Sequence, residues 1–188
     1  MNINSLPETD RLIIRNWNPD TEAEQAFQIY RDPEVSRFLG EPDESVEARR
    51  EKLRQRNQKH RDLNEGSGYW AMEEKTTGEL LGTIILQRLP DGAGNLTPEW
   101  EVGWHLKKSA WGKGYATEAG KAAIDYGFAV LKLPIIYAVV KPENHASIRV
   151  TQRLGMTPKD EPLDITVLIS NCLNFDRPTS PINQTTVL

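Results

Sequence analysis

Residues 111–119 are Trp111-Gly112-Lys113-Gly114-Tyr115-Ala116-Thr117-Glu118-Ala119, a turn between a predicted strand and a predicted helix. The strand is predicted over residues 100–106 and the helix over residues 116–130. Unpaired backbone N–H groups and the positive end of the helix dipole meet at a helix start, where they attract anions. Glycines and small residues let the anion approach the backbone. We therefore interpret the stretch as a phosphate-binding turn.

Two common phosphate motifs do not fit this turn. The nucleotide-hydrolase loop requires G-x-x-x-x-G-K-(S/T), whereas Lys113 lacks that spacing and is followed by Gly114. The dinucleotide motif requires G-x-G-x-x-G, but its third glycine position is occupied by Thr117. The turn also comes late in the chain, without repeated βα units around it.

A third motif, the acyl-coenzyme A loop of the GNAT acetyltransferases, fits with one departure. That superfamily uses (Q/R)-x-x-G-x-(G/A), which the segment from Trp111 to Ala116 resembles. Trp111 stands where Gln or Arg is usual. The Trp form, followed by Tyr-Ala-Thr-Glu-Ala, resembles the RimJ/RimL-like branch, which includes the ribosomal-protein N-terminal acetyltransferases.

Further segments resemble the same branch, in the same order and with similar spacing. They are residues 8–15 (its opening strand), 101–104 (its central strand), and 144–147 with 154–156 (its Asn-x-x-Ser…Leu-Gly-Phe segment). The resemblance covers about residues 8 to 156 and is weak over the last 30.

The resemblance implies an α/β (α+β) domain of the GNAT fold. Its sheet would be mixed and mainly antiparallel, with about six or seven strands, splayed central strands and helices on both faces. We expect one domain over residues 8–170, followed by a polar C-terminal tail over residues 171–188. The residue patterns predict strands at 12–16, 69–73, 80–88, 100–106, 135–140 and 165–170, and helices at 21–31, 45–63, 116–130 and 146–154.

Capping and periodicity add detail to the predicted helices. Asp20 or Thr21 is the expected N-cap of the first helix, and Ser45 is a weak cap signal for the second. In the helix after the turn, helical spacing places five residues on one face. They are Ala119, Ala122, Ala123, Tyr126 and Val130.

Composition sets broad limits on function. The chain has 188 residues, 38% of them hydrophobic and 27% charged, which is ordinary for one globular domain. A net charge of −4 does not indicate a general nucleic-acid surface. No stretch has the length of a membrane span, and the first residues lack the pattern of a signal peptide. One cysteine, Cys172, fits a reducing compartment, so we expect a cytoplasmic protein.

The resemblance assigns acetyl-CoA binding to the turn. Its glycines and Ala116 would let the backbone approach the pyrophosphate, and Thr117 would add an N–H and a hydroxyl group. Three nearby lysines either meet further phosphates or form a solvated face; they are Lys107, Lys108 and Lys113. By the same resemblance, the backbone of Trp104, His105 and Leu106 would hold the pantetheine arm. An N–H of that strand would polarise the thioester carbonyl.

Glu101 is the leading candidate for removing a proton from the acceptor amine. A lysine amine, with a pKa of about 10.4, needs such a base more than an α-amine, at about 7.7–8.0. Glu101 interrupts an apolar strand and lies on one strand face with Gly103 and His105. The alternatives are a structural hydrogen bond for Glu101, or His105 as the base.

Asn144 and Ser147 begin a predicted helix, where capping alone explains their residue types. The resemblance offers a second interpretation. It places Asn144 on the cofactor arm and Ser147 beside the sulfur, where Ser147 would protonate the thiolate in place of the Tyr common elsewhere in the superfamily. Losing Ser147 should then slow acetyl transfer rather than abolish it.

The resemblance implies an N-acetyltransferase that acts on a primary amine, either a protein N-terminus or a small molecule, by direct attack. Residues 20–63 should shape the acceptor side, where acidic residues such as Asp43 would suit a cationic amine. A non-catalytic acyl-CoA sensor and a transferase of longer acyl groups are the alternatives. The histidines lack metal-ligand spacing, and Cys172 has no partner base, so we expect neither a metal nor a cysteine nucleophile.

The C-terminal region departs from the family pattern. The family usually ends with two paired strands, whereas residues 157–164 here are short and interrupted by Pro158 and Pro162. Such a terminus could change the acceptor pocket or a dimer contact. Neither the acceptor nor a choice between monomer and homodimer follows from the sequence.

Overall fold

The computed structural model describes residues 6–91, 93–158 and 166–171. Its strands are β1 (Leu12–Asn16), β2 (Gly68–Glu74), β3 (Leu80–Pro90), β4 (Leu96–Leu106), β5 (Ile135–Val140), β6 (Thr157–Pro158) and β7 (Thr166–Asn171). Its helices are α1 (Pro19–Tyr30), α2 (Pro33–Ser36), α3 (Val46–Leu63), α4 (Tyr115–Ala129) and α5 (His145–Arg153), with a 3-10 turn at Lys108–Ala110. Asn171, the first residue of the predicted tail, is the last residue of β7, and residues 172–188, which include Cys172, lie outside the described residues.

One seven-stranded sheet carries the fold, with the strand order β1-β2-β3-β4-β5-β7-β6. Every neighbouring pair is antiparallel except β4 and β5, which are parallel. The register between β4 and β5 consists of a single pair, Glu101 with Tyr137. The two central strands therefore separate beyond that point, which confirms the predicted mixed sheet with splayed central strands.

Helices cover both faces of the sheet, as predicted. Alternation along β2 sends Trp70 and Met72 into the core beneath α4, and Tyr69 and Ala71 into a second core with α1 and α3. Leu53 is the buried hydrophobic residue of the highly charged helix α3, in which Arg49 and His60 are also buried. The two faces of the sheet are therefore covered by different helices, α4 on one face and α1 with α3 on the other.

Local capping explains where the first long helices begin. Helix α1 starts earlier than predicted, because Asn18 accepts a hydrogen bond from the Asp20 N–H and Pro19 occupies the first helical turn. The expectation of Asp20 or Thr21 as the cap was therefore wrong. In α3 the predicted cap is confirmed, since the Ser45 side chain accepts from the Ala48 N–H at 3.1 Å.

Helix α4 lies on the sheet through small residues. Ala119 and Ala123 are fully buried, but Val130 is 42% exposed, because the helix ends one residue before it. The predicted face is therefore buried at Ala119, Ala123 and Tyr126 but not at its last residue, Val130. A Cβ on Gly120 would lie 2.9 Å from a methyl group of Leu154, so α5 packs closely against α4. This packing holds the C-terminal end of α5 against α4.

The last strands are shorter than the family pattern but are paired. Strand β6 contains only two residues and pairs with β7, which in turn pairs with β5 over six residues. Ile165, the predicted first residue of this strand, lies outside the described residues. Among the described helices, none has both the length and the apolar character needed to cross a membrane.

Candidate active site

Two clefts open where β4 and β5 separate, and they share part of their lining. The turn cleft, of about 450 Å³, is lined by the turn, the end of β4 and one side of α5. The wide cleft, of about 960 Å³, lies between α3 and the middle of β4. Six residues line both clefts: Phe38, Leu39, Trp104, His105, Asn144 and Ser147. The structure thus brings four predicted site residues to one junction.

The turn has the backbone geometry of an anion site. Gly112 has φ +73° and Gly114 has φ +82°, a region that favours glycine. Gly114 is the N-cap of α4, and no side chain caps this helix in the described part of the chain. The Thr117 hydroxyl oxygen is buried without a hydrogen-bond partner among the described residues. Thr117, like both glycines, lines the turn cleft, as do Tyr115 and Ala116.

The sequence did not predict the contacts that hold the turn in place. The Glu118 carboxylate accepts hydrogen bonds from the Thr9 hydroxyl at 2.6 Å, the Arg11 backbone N–H at 2.8 Å and the Arg11 Nε at 2.6 Å. The Arg11 Nη1 donates to the Lys113 carbonyl at 2.9 Å. Burial opposes ionisation of Glu118, but these hydrogen bonds outweigh it and lower the pKa of Glu118. Thr9 and Arg11, which precede β1, therefore hold the turn at two points, Lys113 and Glu118.

Trp111 also anchors the turn. Its indole N–H donates to the Leu106 carbonyl at 2.8 Å, so that carbonyl is already engaged by the protein. Trp111 lines the turn cleft, together with Leu106 itself. The unusual residue at the first motif position therefore closes the loop between the end of β4 and the start of α4.

The positive charge of the turn cleft comes from residues other than the expected lysines. Lys107 pairs with Glu79, and Lys108 pairs with Glu34 at 2.8 Å. Neither they nor Lys113 line either cleft in the described part of the chain. The cleft is lined instead by three arginines: Arg37, Arg149 and Arg153. The last two are four residues apart on α5, a helical spacing that the sequence already showed.

The backbone of β4 is partly free on its β5 side. Its residues from Gly103 to Leu106 pair with β3, while the register with β5 contains only Glu101. Trp104, His105 and Leu106 therefore lie where the sheet opens, and all three line the turn cleft.

Glu101 and Gly103 line the wide cleft, and His105 lies at the junction. Burial raises the pKa of Glu101, while a hydrogen bond from Gln87 Nε2 at 2.7 Å opposes the shift. The pKa of His105 is lowered to about 4 by burial and by nearby arginines, so this imidazole is neutral at pH 7. Burial thus disfavours the charged form of both side chains, and the hydrogen bond from Gln87 offsets part of this effect at Glu101.

Hydroxyl groups support His105 from behind, and the sequence gave no sign of them. The Tyr30 hydroxyl lies 3.2 Å from His105 Nδ1, 2.8 Å from the Tyr69 hydroxyl and 2.6 Å from Thr83 Oγ1. Burial raises the pKa of Tyr30 well above its usual value, so its hydroxyl remains protonated. Trp17 Nε1 donates to Thr83 and completes the group. These contacts hold the imidazole in a fixed orientation.

Asn144 and Ser147 make the capping contact that their residue types suggest. The Asn144 Oδ1 accepts from the Ser147 N–H at 3.2 Å, which caps α5. Both residues nevertheless line both clefts. In the described part of the chain, no group of three or more His, Cys, Asp or Glu side chains is arranged to hold a metal ion.

The family model of the GNAT acetyltransferase domain matches residues 11–157, which include the turn, β4 and α5. The chain belongs to the GNAT acetyltransferase family. It is 33% identical over 157 residues to the uncharacterized protein YkkB of Bacillus subtilis, an alignment covering 83% of this chain and 87% of YkkB. The matched region thus includes the turn, the point where β4 and β5 separate and the residues that line both clefts.

Two solved structures share this GNAT fold. The ribosomal-protein-S5-alanine acetyltransferase of Vibrio fischeri aligns with a TM-score of 0.66 and 20% identity over 93% of this chain and 100% of its own. The spermidine N-acetyltransferase of Vibrio cholerae, in complex with CoA and spermine, aligns with a TM-score of 0.68 and 18% identity over 87% and 97%. At these identities the likeness shows the fold alone.

Proposed function

We propose that this acetyltransferase moves the acetyl group of acetyl-CoA to a primary amine, which attacks directly without an acyl-enzyme. The observation that carries the proposal is the junction of the two clefts. One cleft has the features of an anion site, the other contains the half-buried Glu101 carboxylate, and Ser147 and His105 lie where they meet. Two co-substrates entering from opposite sides would meet at this point.

The residues of the turn cleft fit the phosphates of acetyl-CoA, which supplies the activated acetyl thioester. The uncapped start of α4 and the buried, unpaired Thr117 hydroxyl offer donors to an anion. Arg149 and Arg153 add positive charge at the rim. The open backbone of β4 from Trp104 to Leu106 is placed to bind the pantetheine arm, with Asn144 beside it.

Glu101 is proposed as the base that takes a proton from the acceptor amine, directly or through a water molecule. Its raised pKa makes the carboxylate a stronger proton acceptor than an ordinary glutamate. His105 is less suited, because a pKa of about 4 makes it a weak base. Ser147 is proposed to pass a proton to the leaving thiolate and to regain one from solvent, while the proton taken by Glu101 is released to solvent.

The test combines titration calorimetry of acetyl-CoA with a thiol-release assay on a panel of amines. We expect acetyl-CoA to bind, and thiol to be released with at least one amine. Glu101→Gln should lower kcat about 10²–10⁴-fold, the usual contribution of a general base, while acetyl-CoA affinity stays the same. Binding without release on any amine would favour the acyl-CoA sensor instead.

Ser147→Ala provides the second test, with a smaller expected effect. The thiolate of CoA is a good leaving group, so kcat should fall about tenfold rather than vanish. The Asn144 cap of α5 uses the backbone N–H of residue 147 and is kept in this variant. An unchanged kcat would remove Ser147 from the proposed mechanism.

A further inference from the structure

Positive charge dominates the wall of the wide cleft, although the whole chain carries a net charge of −4. Helix α3 contributes four basic residues to this wall at spacings of three, four and three residues, so they share one helix face. They are Arg49, Lys52, Arg56 and Lys59, and Lys141 joins them from the end of β5. The carboxylates of the same lining are Glu41 and Glu101.

Part of this charge is neutralised within the protein. Asp43, whose side chain is fully buried, pairs with Arg49 and with Lys52 Nζ. Asp43, which the sequence suggested as a partner for a cationic amine, is therefore occupied and does not line the cleft. Arg49 is itself 8% exposed, stacks on Tyr30 at 3.7 Å, and keeps a buried Nε without a hydrogen-bond partner among the described residues.

Arg56 and Lys59 remain as the exposed, unneutralised cations of α3 on the cleft wall, near the exposed Lys141. In the described part of the chain, no carboxylate forms an ion pair with either of them. The Arg56 guanidinium lies 5.4 Å from the centre of the Tyr69 ring, which also lines the cleft. Both residues are near enough to Glu101 for their charges to lower the pKa of its carboxyl group. The two cations therefore lie beside the proposed base.

We propose that the acceptor is an amine that also carries an anionic group, a carboxylate or a phosphate, which Arg56 and Lys59 bind. This inference rests on the proposed function and names its substrate class. Like charges close together repel, so a polyamine would be disfavoured in this cleft, whereas an anion on the acceptor would neutralise the two cations. The amine would then lie toward Glu101 and the junction with the turn cleft.

The experiment compares acceptor amines that differ in the charge they carry beside the reacting amine. β-Alanine and its neutral amide share a carbon skeleton, phosphoethanolamine replaces the carboxylate by a phosphate, and spermidine represents a polycation. In the thiol-release assay, we expect kcat/KM for the better anionic acceptor to exceed that for the neutral amide about 2–30-fold, the effect of two exposed charge contacts. The preference should shrink in high salt.

Variants test whether Arg56 and Lys59 cause the preference. The double variant Arg56→Gln, Lys59→Gln should raise KM for the anionic acceptor about tenfold, with little change for the amide. Arg61→Gln is the matched control, because Arg61 is exposed on the same helix and does not line the cleft. Calorimetry should give the same acetyl-CoA affinity for all three proteins.

The outcomes separate the inference from the function beneath it. Faster thiol release with spermidine or the neutral amide would overturn the inference and leave acetyl transfer standing. An anion preference that survives in the double variant would also overturn it. Acetyl-CoA binding with no release on any amine would reject both.

Discussion

The contact between Glu118 and Arg11 gives the sharpest test of how the phosphate turn is held. Glu118→Ala removes the acceptor of the Thr9 hydroxyl and of two Arg11 N–H groups. Hydrogen bonds to a charged group contribute about 1.5–3 kcal/mol each, but the ion-pair part is limited to about 1 kcal/mol because the Arg11 side chain is 43% exposed. We expect a loss of about 2–3 kcal/mol in the free energy of unfolding.

The same change should weaken acetyl-CoA binding without touching the cleft. Once Glu118 no longer positions Arg11, the hydrogen bond from Arg11 to the Lys113 carbonyl is lost. A hydrogen bond to a neutral acceptor such as this carbonyl contributes about 0.5–1.5 kcal/mol, and its loss corresponds to a rise in the Kd of acetyl-CoA of about 2–12-fold. Arg11→Gln should give a similar rise, and the double variant should be little worse than either single one, because both act through one contact.

Thermal unfolding and titration calorimetry measure the two effects. For a chain of this size the loss corresponds to a fall in Tm of about 4–12 °C. Asp125→Asn is the matched control, since it removes an exposed carboxylate that pairs with Lys121 on the same helix. If Glu118→Ala lowers Tm no more than Asp125→Asn and leaves Kd unchanged, the turn does not depend on this contact.

Three further predictions concern the turn, the base and a buried histidine. Gly112→Ala and Gly78→Ala force alanine into similar conformations, at φ +73° and +69°, with open space around each. Both variants should therefore lose about 1–2 kcal/mol of stability. Calorimetry should show weaker acetyl-CoA binding for Gly112→Ala alone. Because burial raises the pKa of Glu101, its charged form opposes folding; Glu101→Gln should therefore unfold at higher urea than wild type at pH 7, and the gain should vanish at acidic pH, where the wild-type carboxyl group is protonated in both states. His60 is buried against Ser67, and its pKa is lowered to about 4, so its neutral form stabilises the fold above pH 6.5 and that stability is lost as pH falls toward 4. The free energy of unfolding, measured by urea denaturation, should depend less on pH between 6.5 and 4 in His60→Gln than in wild type. Equal pH dependence in the two proteins would contradict this.

Local sequence patterns predicted most elements because their signals lie within a few residues. The glycines of the turn, the Ser45 cap and the alternation of β2 each specify structure close by, and strand β1 begins and ends as expected. The first helix starts earlier than expected because Asn18 caps it and Pro19 occupies its first position, ahead of the expected caps Asp20 or Thr21.

Long-range charge contacts could not be predicted in this way. Arg11 and Glu118 are 107 residues apart, and nothing in either segment indicates the other. Asp43 was expected to suit a cationic substrate, whereas folding buries it against Arg49 and Lys52 of α3. The positive cleft wall could not be predicted either, because the charges of α3 alone suggest a solvated helix. Only the fold shows that α3 faces β4 across the wide cleft.

The central claim is that amine acetylation takes place at the junction of the two clefts, with Glu101 as the base. The most direct measurement is thiol release over a panel of amines at saturating acetyl-CoA, comparing wild type with Glu101→Gln. The account predicts release by the wild type and a fall in kcat of at least about 10²-fold in the variant, with acetyl-CoA Kd unchanged. Equal rates in the two proteins, or no release with any amine, would contradict it.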